Sequence, residues 1–374
     1  MKIRHIIFFL VLFFTVLFSQ NKSTTSPSIT NTPQIDTVLK IQIKAQLASP
    51  PLFYQDKIYA SDQTGVITCF DISGKKIWSR STSNKLQSKL VIADNLLCTS
   101  NSKNEILTFS LEKGTPIQSF GIGDSVTTNL ILLQYAGRKE LMIPKTTESR
   151  SAIIFGTNNG KIYCYDLETL QEYWHNNDAA GMIKTDPIVV ANKLLFTSKD
   201  GFLYCIDTRD GLLNWRWKEK AETDFSNSQI MCDGEKVYVY DNEYSLFSID
   251  LLLGNFTWKS AAKIFDAIGI STDKKKLYAK GLYSKFFILS ALSGKVLKGI
   301  KRNDLFESDN VSPFEYKKKI LFTNWNSIFS LNEKFNEENV FSYGNSSLSS
   351  LQQIDKNIFF TSNTTDTIII FSIR

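Results

Sequence analysis

Residues 160–174, GKIYCYDLETLQEYW, place a cysteine, an aspartate and a tryptophan close together. A thiolate beside a carboxylate could act as a nucleophile or bind a metal ion, and an indole could stack on a ligand. Nearly the same string recurs at residues 65–78 (GVITCFDISGKKIW) and 201–215 (GFLYCIDTRDGLLNW). Because a catalytic group of residues normally occurs once, the recurrence favours repeated architecture over chemistry.

Alignment on the repeated aspartate gives the period of the chain. The residues in this register are Asp71, Ser110, Asp166, Asp207, Asp250, Ser290, Ser330 and Ser372. They define eight units of about 41 residues, one of which is about 15 residues longer than the others. Each unit has the pattern of four short strands joined by polar turns, and no long stretch has helical periodicity.

This period predicts an all-β protein, an eight-bladed β-propeller of four-stranded antiparallel blades. The last unit ends after its third strand, whereas an additional strand-like segment, residues 35–46, precedes the first unit. We expect this N-terminal strand to close the last blade by supplying its fourth strand. No edge would then stay exposed between the first and last blades.

The recurring residues suit structural roles in such a fold. A buried, inert thiol is the favoured interpretation of the repeated cysteine, and a reactive thiol is the alternative. The aspartates are expected to begin the turn between the third and fourth strands and to accept backbone N–H groups; they are Asp71, Asp166, Asp207 and Asp250. The tryptophans are expected to pack between adjacent blades; they are Trp78, Trp174, Trp215 and Trp258.

The remaining composition gives little support to catalysis. The chain has 2 His and 5 Cys, with no adjacent cysteines and no Cys-x-x-Cys pair, which argues against a Cys/His metal site. The predicted channel-facing first strands contain no non-repeating group of titratable residues. We therefore predict no catalytic, cofactor-binding or metal-binding residues and no enzymatic activity.

The N-terminal region is predicted to lie outside the propeller. Lys2 and Arg4 precede an apolar run at residues 6–18, which is typical of a signal peptide at residues 1–20; an uncleaved anchor is the alternative. Residues 21–34 are rich in Ser, Thr, Asn and Pro and are predicted to form a flexible polar linker. The propeller then covers residues 35–374. Because the first cysteine is Cys69, no cysteine is placed for lipid attachment.

The repeat Gly-x-hydrophobic-Tyr-small-hydrophobic-Asp-x-x-x-Gly-x-x-x-Trp, matched most closely at residues 201–215, resembles that of the PQQ-like (pyrroloquinoline-quinone-type) β-propeller family. The resemblance covers roughly residues 36–374 and implies the fold more specifically than the function. One branch, the quinone-dependent dehydrogenases, carries adjacent cysteines and a calcium site that this sequence does not match. The other branch is the compact propeller of the outer-membrane-protein assembly machine, the BAM complex. It is similar in length, blade count and terminal strand exchange, and it implies a non-enzymatic scaffold.

Lysines collect in the turns after the first and third strands, which lie on one face of a propeller. The partner-binding candidates there are Lys274, Lys275, Lys276, Lys317, Lys318 and Lys319, with Arg138 and Lys139 on an insertion at residues 134–151. For the insertion, a tolerated flexible loop is the alternative. Trp325 is a further candidate on the opposite face, where local packing is the alternative. At a net charge of +6, the lysine face would suit an acidic protein, or anionic lipid or polysaccharide head groups. Solvation of the turns is the favoured interpretation of these lysines, and recognition of such a partner is the alternative.

These observations predict an exported, non-enzymatic scaffold for protein interactions in the cell envelope, monomeric on its own. Its location would be the periplasm or outer envelope, with secretion as the alternative. The expected partners are envelope proteins, and nucleic acid is not expected for an exported chain. Two other functions stay open: binding of a small molecule or glycan at the channel mouth, and, least favoured, a quinoprotein oxidoreductase.

Overall fold

The structure, a computed structural model, describes residues 35–43, 45–135, 150–282, 285–301, 312–324, 327–331, 336–342, 348–349, 351–355, 358–363 and 366–373. Strands and turns account for the regular structure of these residues, which include no helix. None of the described stretches therefore offers a helix that could cross a membrane. The predicted signal peptide and linker, Arg138, Lys139 and Trp325 lie outside the described residues.

The strands are β1 (Ile35–Gln42), β2 (Leu52–Tyr54), β3 (Lys57–Ser61), β4 (Val66–Asp71), β5 (Lys76–Ser81), β6 (Val91–Ala93), β7 (Leu96–Ser100), β8 (Glu105–Ser110), β9 (Pro116–Gly121), β10 (Ile131–Tyr135), β11 (Arg150–Gly156), β12 (Ile162–Asp166), β13 (Glu172–Asn176), β14 (Ile188–Val190), β15 (Lys193–Thr197), β16 (Leu203–Asp207), β17 (Leu213–Trp217), β18 (Met231–Cys232), β19 (Lys236–Tyr240), β20 (Ser245–Asp250), β21 (Phe256–Ile270), β22 (Lys276–Gly281), β23 (Lys285–Ser290), β24 (Val296–Lys301), β25 (Phe314–Tyr316), β26 (Lys319–Asn324), β27 (Ser327–Leu331), β28 (Glu337–Ser342), β29 (Gln352–Asp355), β30 (Ile358–Ser362) and β31 (Thr367–Ile373).

The strands form a propeller of four-stranded antiparallel blades. Units one to four are the sheets β2–β5, β6–β9, β10–β13 and β14–β17, and unit seven is β25–β28. Unit eight has the order β1-β31-β30-β29, so the N-terminal strand lies beside the C-terminal one. Ile35 pairs with Ile373 at one end of this ladder, and Gln42 pairs with Thr367 at the other.

Units five and six are not separate sheets, in contrast to the eight separate blades that the sequence predicts. The described residues form six four-stranded sheets and one seven-stranded sheet, β18–β24. The long strand β21 joins the two units, because its first half pairs with β20 and its second half pairs with β22. Residues 259–268, KSAAKIFDAI, contain no Gly, Pro or Asn, so the chain continues as a strand where other units turn.

The core lies between the sheets, because the middle strands of each blade are covered on both faces. Every residue of β16 is buried, and so are four of the five residues of β15. Such strands are near-continuous apolar runs and not alternating ones. The fourth strands lie at the periphery, and β9 is almost entirely exposed.

A tryptophan on the fourth strand of one unit contacts the turn between the third and fourth strands of the next unit. Each indole Nε1 donates a hydrogen bond to a carbonyl oxygen one residue after the aspartate register. The bonds are Trp78 to Leu111 (3.3 Å), Trp174 to Thr208 (3.0 Å), Trp215 to Leu251 (3.0 Å) and Trp258 to Ala291 (3.1 Å). All four tryptophans are buried. Each indole thus joins two consecutive units.

The contacted turn needs a glycine for two reasons. Gly254 has a φ of +71°, and a Cβ added there would lie 2.6 Å from the ring of Trp215. Gln118 occupies the tryptophan position of unit two and donates its Nε2 to the Glu168 carbonyl at 2.8 Å. The turn that Gln118 contacts has Leu170, with a φ of 57°, in the glycine position. A residue other than glycine can adopt the positive φ of this turn, as Leu170 does. The close approach of an indole is therefore the stronger reason for glycine.

We predict that Gly254→Ala destabilises the protein much more than Gly123→Ala. Gly123 has a similar φ of +74° but open space around its Cβ position. Both variants pay about 1–2 kcal/mol for a left-handed alanine, and only Gly254→Ala adds overpacking of about 1–3 kcal/mol. Urea unfolding of both variants measures the difference. Equal losses of unfolding free energy would show that the indole contact does not constrain the turn.

Candidate functional site

The repeated aspartates hydrogen-bond the backbone of their own turns. Asp250 Oδ1 accepts the N–H groups of Leu252 (2.9 Å) and Leu253 (2.7 Å). The hydroxyl of Ser73, together with backbone N–H groups, lowers the pKa of Asp71. Burial acts to raise the pKa of Asp166, but hydrogen bonds from Tyr173 and the backbone hold it below its usual value. A general acid or base at neutral pH needs a pKa near 7, so these two carboxyl groups are shifted in the wrong direction.

The cysteines are placed for packing and not for reaction. All five are free thiols, four are buried, and Cys232 is half-buried. Burial raises the pKa of Cys98 to about 12 and that of Cys205 to about 11, and it also raises the pKa of Cys164. A thiol is a nucleophile as its thiolate, which these groups do not form near pH 7. In the part of the chain that the structure describes, no three His, Cys, Asp or Glu side chains are grouped to hold a metal ion.

The predicted lysines lie at adjoining turns of units six and seven. Lys274 and Lys275 are exposed and Lys276 is half-buried. Lys317 and Lys318 are exposed at the hairpin between β25 and β26, and Lys319 begins β26. Glu315 connects the two turns, because its Oε2 accepts the Thr272 N–H at 2.8 Å and its Oε1 accepts the Tyr278 hydroxyl. The six lysines therefore occupy one surface, which we call the lysine face.

The hairpin of unit seven holds two lysines in an unusual backbone conformation. Lys317 and Lys318 have φ angles of 47° and 63°, in the left-handed region. Asn, Asp and Gly are the residues that tolerate this region best in two-residue hairpins. The same hairpin of unit two has Asp94 and Asn95 at these positions. The turn geometry therefore does not account for two lysines at this tip.

The insertion of unit three follows its first strand. Residues 134, 135, 150 and 151 belong to β10 and β11, where Gln134 pairs with Ser151 and Tyr135 with Arg150. Residues 136–149 lie outside the described residues. The ring of Tyr135 stacks on Tyr173, with 3.9 Å between centroids, and its hydroxyl donates to the Arg209 carbonyl at 2.9 Å. Tyr135 thus packs within the propeller.

Exposed leucines at three consecutive units are a feature that the sequence reasoning missed. Leu212, Leu252, Leu253 and Leu292 are 60%, 69%, 64% and 79% exposed at the turns between third and fourth strands of units four, five and six. Their signal in the sequence is the apolar run DLLLGNF at 250–256 and Leu292 at 290–294, whereas units one to three have Ser73, Glu112 and Glu168 two residues after the register. Apolar residues by themselves would predict a buried strand here, but the aspartate register places these residues in turns.

Fold and repeat define the class of the protein: a β-propeller built from PQQ-like repeats. The profile of the family described as "Outer membrane protein assembly factor BamB" matches residues 36–120 and 138–297, and the chain belongs to this family.

Two curated relatives carry that same description. The protein of Kangiella koreensis is 21% identical over 255 residues, which are 58% of this chain and 64% of the relative. The protein of Shewanella oneidensis is 19% identical over 237 residues, which are 60% of this chain and 56% of the relative. The chain thus spans less than two thirds of the length of the curated relatives that it matches.

Solved structures share the fold at low identity. BamB of Moraxella catarrhalis has a TM-score of 0.70 at 14% identity, covering 90% of this chain and 97% of its own. The computationally designed protein Ika8 has a TM-score of 0.67 at 12% identity, covering 89% and 99%. Sqt1 of Saccharomyces cerevisiae has a TM-score of 0.70 at 10% identity, covering 91% and 99%. Because these proteins are so different, the likeness shows the fold alone.

We predict that the five thiols of the native chain react slowly with Ellman's reagent at pH 8. Burial raises the pKa of Cys232 from 9.0 to about 11, which leaves about a hundredth as much thiolate at that pH. Cys232 should react first because it is the half-buried thiol, and its rate should rise as the pH approaches 11.

Absorbance at 412 nm follows the reaction, and unfolding in urea should release all five thiols to fast labelling. Cys232→Ser is the control, because it should remove the first phase alone. Fast labelling of Cys164 in the folded chain at pH 8 would contradict its burial.

Proposed function

We propose that this chain is a non-enzymatic, exported protein-interaction scaffold of the cell envelope that acts in outer-membrane protein assembly. Residues 1–20 would direct export, residues 21–34 would form the linker, and residues 35–374 would form the interacting propeller. The family match supports this proposal, because the family is described as an outer membrane protein assembly factor.

The lysine face is the observation that carries the proposal. Most repeated side chains lie inside the propeller, whereas Lys274, Lys275, Lys317 and Lys318 stand at turn tips where unit two has Asp94 and Asn95. Lys276 and Lys319 begin their strands, as Lys57, Lys193 and Lys236 do in other units. Lys274, Lys317 and Lys318 have φ angles of 58°, 47° and 63°, in a backbone region that favours other residue types. A non-repeating feature on a repeated scaffold, kept against local backbone preference, points to recognition and not to folding. An acidic protein surface would complement this face.

We also propose that the seven-stranded sheet acts as two blades that share β21, giving eight blades in a closed ring. Ile41 of β1 supports closure, since its Cγ1 lies 3.1 Å from the Cβ position of Gly74 in unit one. Ile41 there takes the place that tryptophans take in other units. Gln352 of unit eight also donates its Nε2 to the Pro51 carbonyl at 3.2 Å.

Deletion of residues 35–43 should lower the thermal unfolding midpoint by at least about 5 °C, because it removes β1 and exposes the edge of β31. Deletion of nine linker residues, 24–32, is the control for loss of the same length and should leave the midpoint unchanged. Differential scanning calorimetry measures both. Equal midpoints for the two deletions would contradict ring closure through β1.

Reversal of the six lysines of the lysine face to Glu should release the envelope partner. The tagged full-length chain is crosslinked in cells of its source organism, and recovered proteins are quantified by mass spectrometry. Recovery of an outer-membrane assembly component should fall about tenfold. Charge complementarity between the two surfaces raises the rate of association, and the reversal removes it.

The matched control reverses six exposed lysines elsewhere and so makes the same change in net charge. They are Lys85, Lys89, Lys103, Lys184, Lys199 and Lys285. Recovery with this control should stay within about twofold of wild type. If both reversals reduce recovery equally, general charge and not the lysine face is responsible. If the wild-type chain recovers no envelope protein, the scaffold function is wrong.

A further inference from the structure

Large apolar side chains are exposed at one edge of the propeller, in the turns between third and fourth strands of units four to six and at the first residue of the strand that follows. They are Leu212 (60%), Leu213 (39%), Leu252 (69%), Leu253 (64%), Phe256 (51%) and Leu292 (79%). We call this set the leucine rim. Exposed apolar residues scattered singly are ordinary, whereas a contiguous group marks an interaction site.

The tryptophan contacts connect the consecutive turns that carry the leucine rim. Trp215 follows Leu213 by two residues and bonds the carbonyl of Leu251, next to Leu252. Trp258 follows Phe256 by two residues and bonds the carbonyl of Ala291, next to Leu292. Each buried indole thereby holds the exposed residues of one unit beside those of the next. These two bonds link the turns of units four, five and six in series.

The turns do not need leucine at these positions. Two residues after the aspartate register, units five and six have Leu252 and Leu292, whereas units one to three have Ser73, Glu112 and Glu168. The backbone N–H groups of Leu252 and Leu253 are bonded to Asp250, so the turn is held by main chain and carboxylate. The leucine side chains are thus presented on a rigid turn, which lowers the entropy cost of binding.

Lysine residues border the leucine rim. Lys236 donates its Nζ to the Leu292 carbonyl at 3.4 Å, and the carbonyl of Lys275 accepts the Ala291 N–H at 2.9 Å. The rim therefore adjoins the lysine face at unit six. Carboxylates of Asp233 and Asp273 stand among these lysines and accept backbone N–H groups of their own turns.

The mixed border favours a protein over an anionic bilayer. An apolar centre with a charged, polar border is the usual anatomy of a protein interface. Anionic head groups would attract the lysines, but they would also repel Asp233, Asp250 and Asp273 at the same tips. A protein surface can place Asp or Glu opposite the lysines alone.

We propose that the leucine rim is the docking core for a protein partner that presents apolar side chains bordered by Asp and Glu. This inference rests on the proposed scaffold function and assigns its contact surface. The leucines supply the buried centre of the interface, and the lysines of the adjoining face pair with the partner's carboxylates. Energetically dominant residues of interfaces cluster in such a centre.

Photo-crosslinking locates the partner segment. p-Benzoylphenylalanine is placed at Leu252, at Leu292 or, as a control, at Ile117, an apolar residue of unit two that is 48% exposed. The full-length chain is irradiated in cells of its source organism, and the crosslinked peptide is sequenced by mass spectrometry. We expect Leu252 and Leu292 to label one protein, on a segment with apolar residues and at least two Asp or Glu. Ile117 should not label it.

A leucine variant tests the energetic role. Leu252→Ser, Leu253→Ser and Leu292→Ser together should weaken binding of the synthetic form of that segment about tenfold or more. The control combines Ile72→Ser, Ile77→Ser and Ile117→Ser, three exposed isoleucines of units one and two, and should change the Kd less than about twofold. Fluorescence anisotropy with purified protein gives both values, and circular dichroism shows whether each variant is folded.

Other outcomes overturn the inference in distinguishable ways. An adduct of twice the chain's mass would assign the rim to a second copy, and an adduct with lipid would assign it to a membrane. If reversal of the lysine face releases the partner while the leucine variant retains it, the scaffold stands and the docking core is wrong. If no probe position labels any protein and the lysine reversal changes nothing, the scaffold function itself fails.

Discussion

The bond from a tryptophan indole to the turn of the next unit is the interaction on which the described propeller depends. It buries a large aromatic ring between two blades, and its N–H finds a carbonyl partner there. The ring leaves no room for a Cβ on the facing turn, so the contact couples a tryptophan in one unit to a glycine in the next. Where Gln118 replaces the indole, Leu170 replaces the glycine. The coupling therefore follows from shape and not from turn conformation alone.

This contact also decides which residues are left for function. The repeated Asp, Cys and Trp side chains serve turns, the core and contacts between units. The pKa values of Asp71 and Asp166 are lowered and those of the buried thiols are raised, both away from the range that acid–base or nucleophilic chemistry needs. What remains is the non-repeating surface: lysines at two adjoining turns and leucines at three consecutive ones. A rigid propeller suits such a surface, because its blades hold turns at fixed positions with little conformational freedom to lose on binding.

Much of the fold was predictable from the sequence, because most units need the same residue types at the same positions of their strands and turns. The aspartate register placed the turns between third and fourth strands of units one to six, where the third strand ends at the register residue. The merger of units five and six was not predicted. The period predicts one separate blade for each unit, whereas residues 259–268 contain no Gly, Pro or Asn and continue as a strand from one unit into the next. The lysines at 274–276 and 317–319 were visible as charge runs, but their neighbourhood depends on the contacts of Glu315 across two units.

The sequence by itself determined the repeat, the all-β class and the resemblance to PQQ-like propellers, because local strand and turn preferences recur with the period. Only the tertiary structure decided which residues are exposed. Leucine is a residue type common inside strands, yet Leu252 and Leu292 are exposed. They are surface residues because the indoles of neighbouring units hold their turns at the edge of the propeller. The exposure of a side chain depends on how the units pack against each other, so it cannot be predicted from the sequence pattern of one unit.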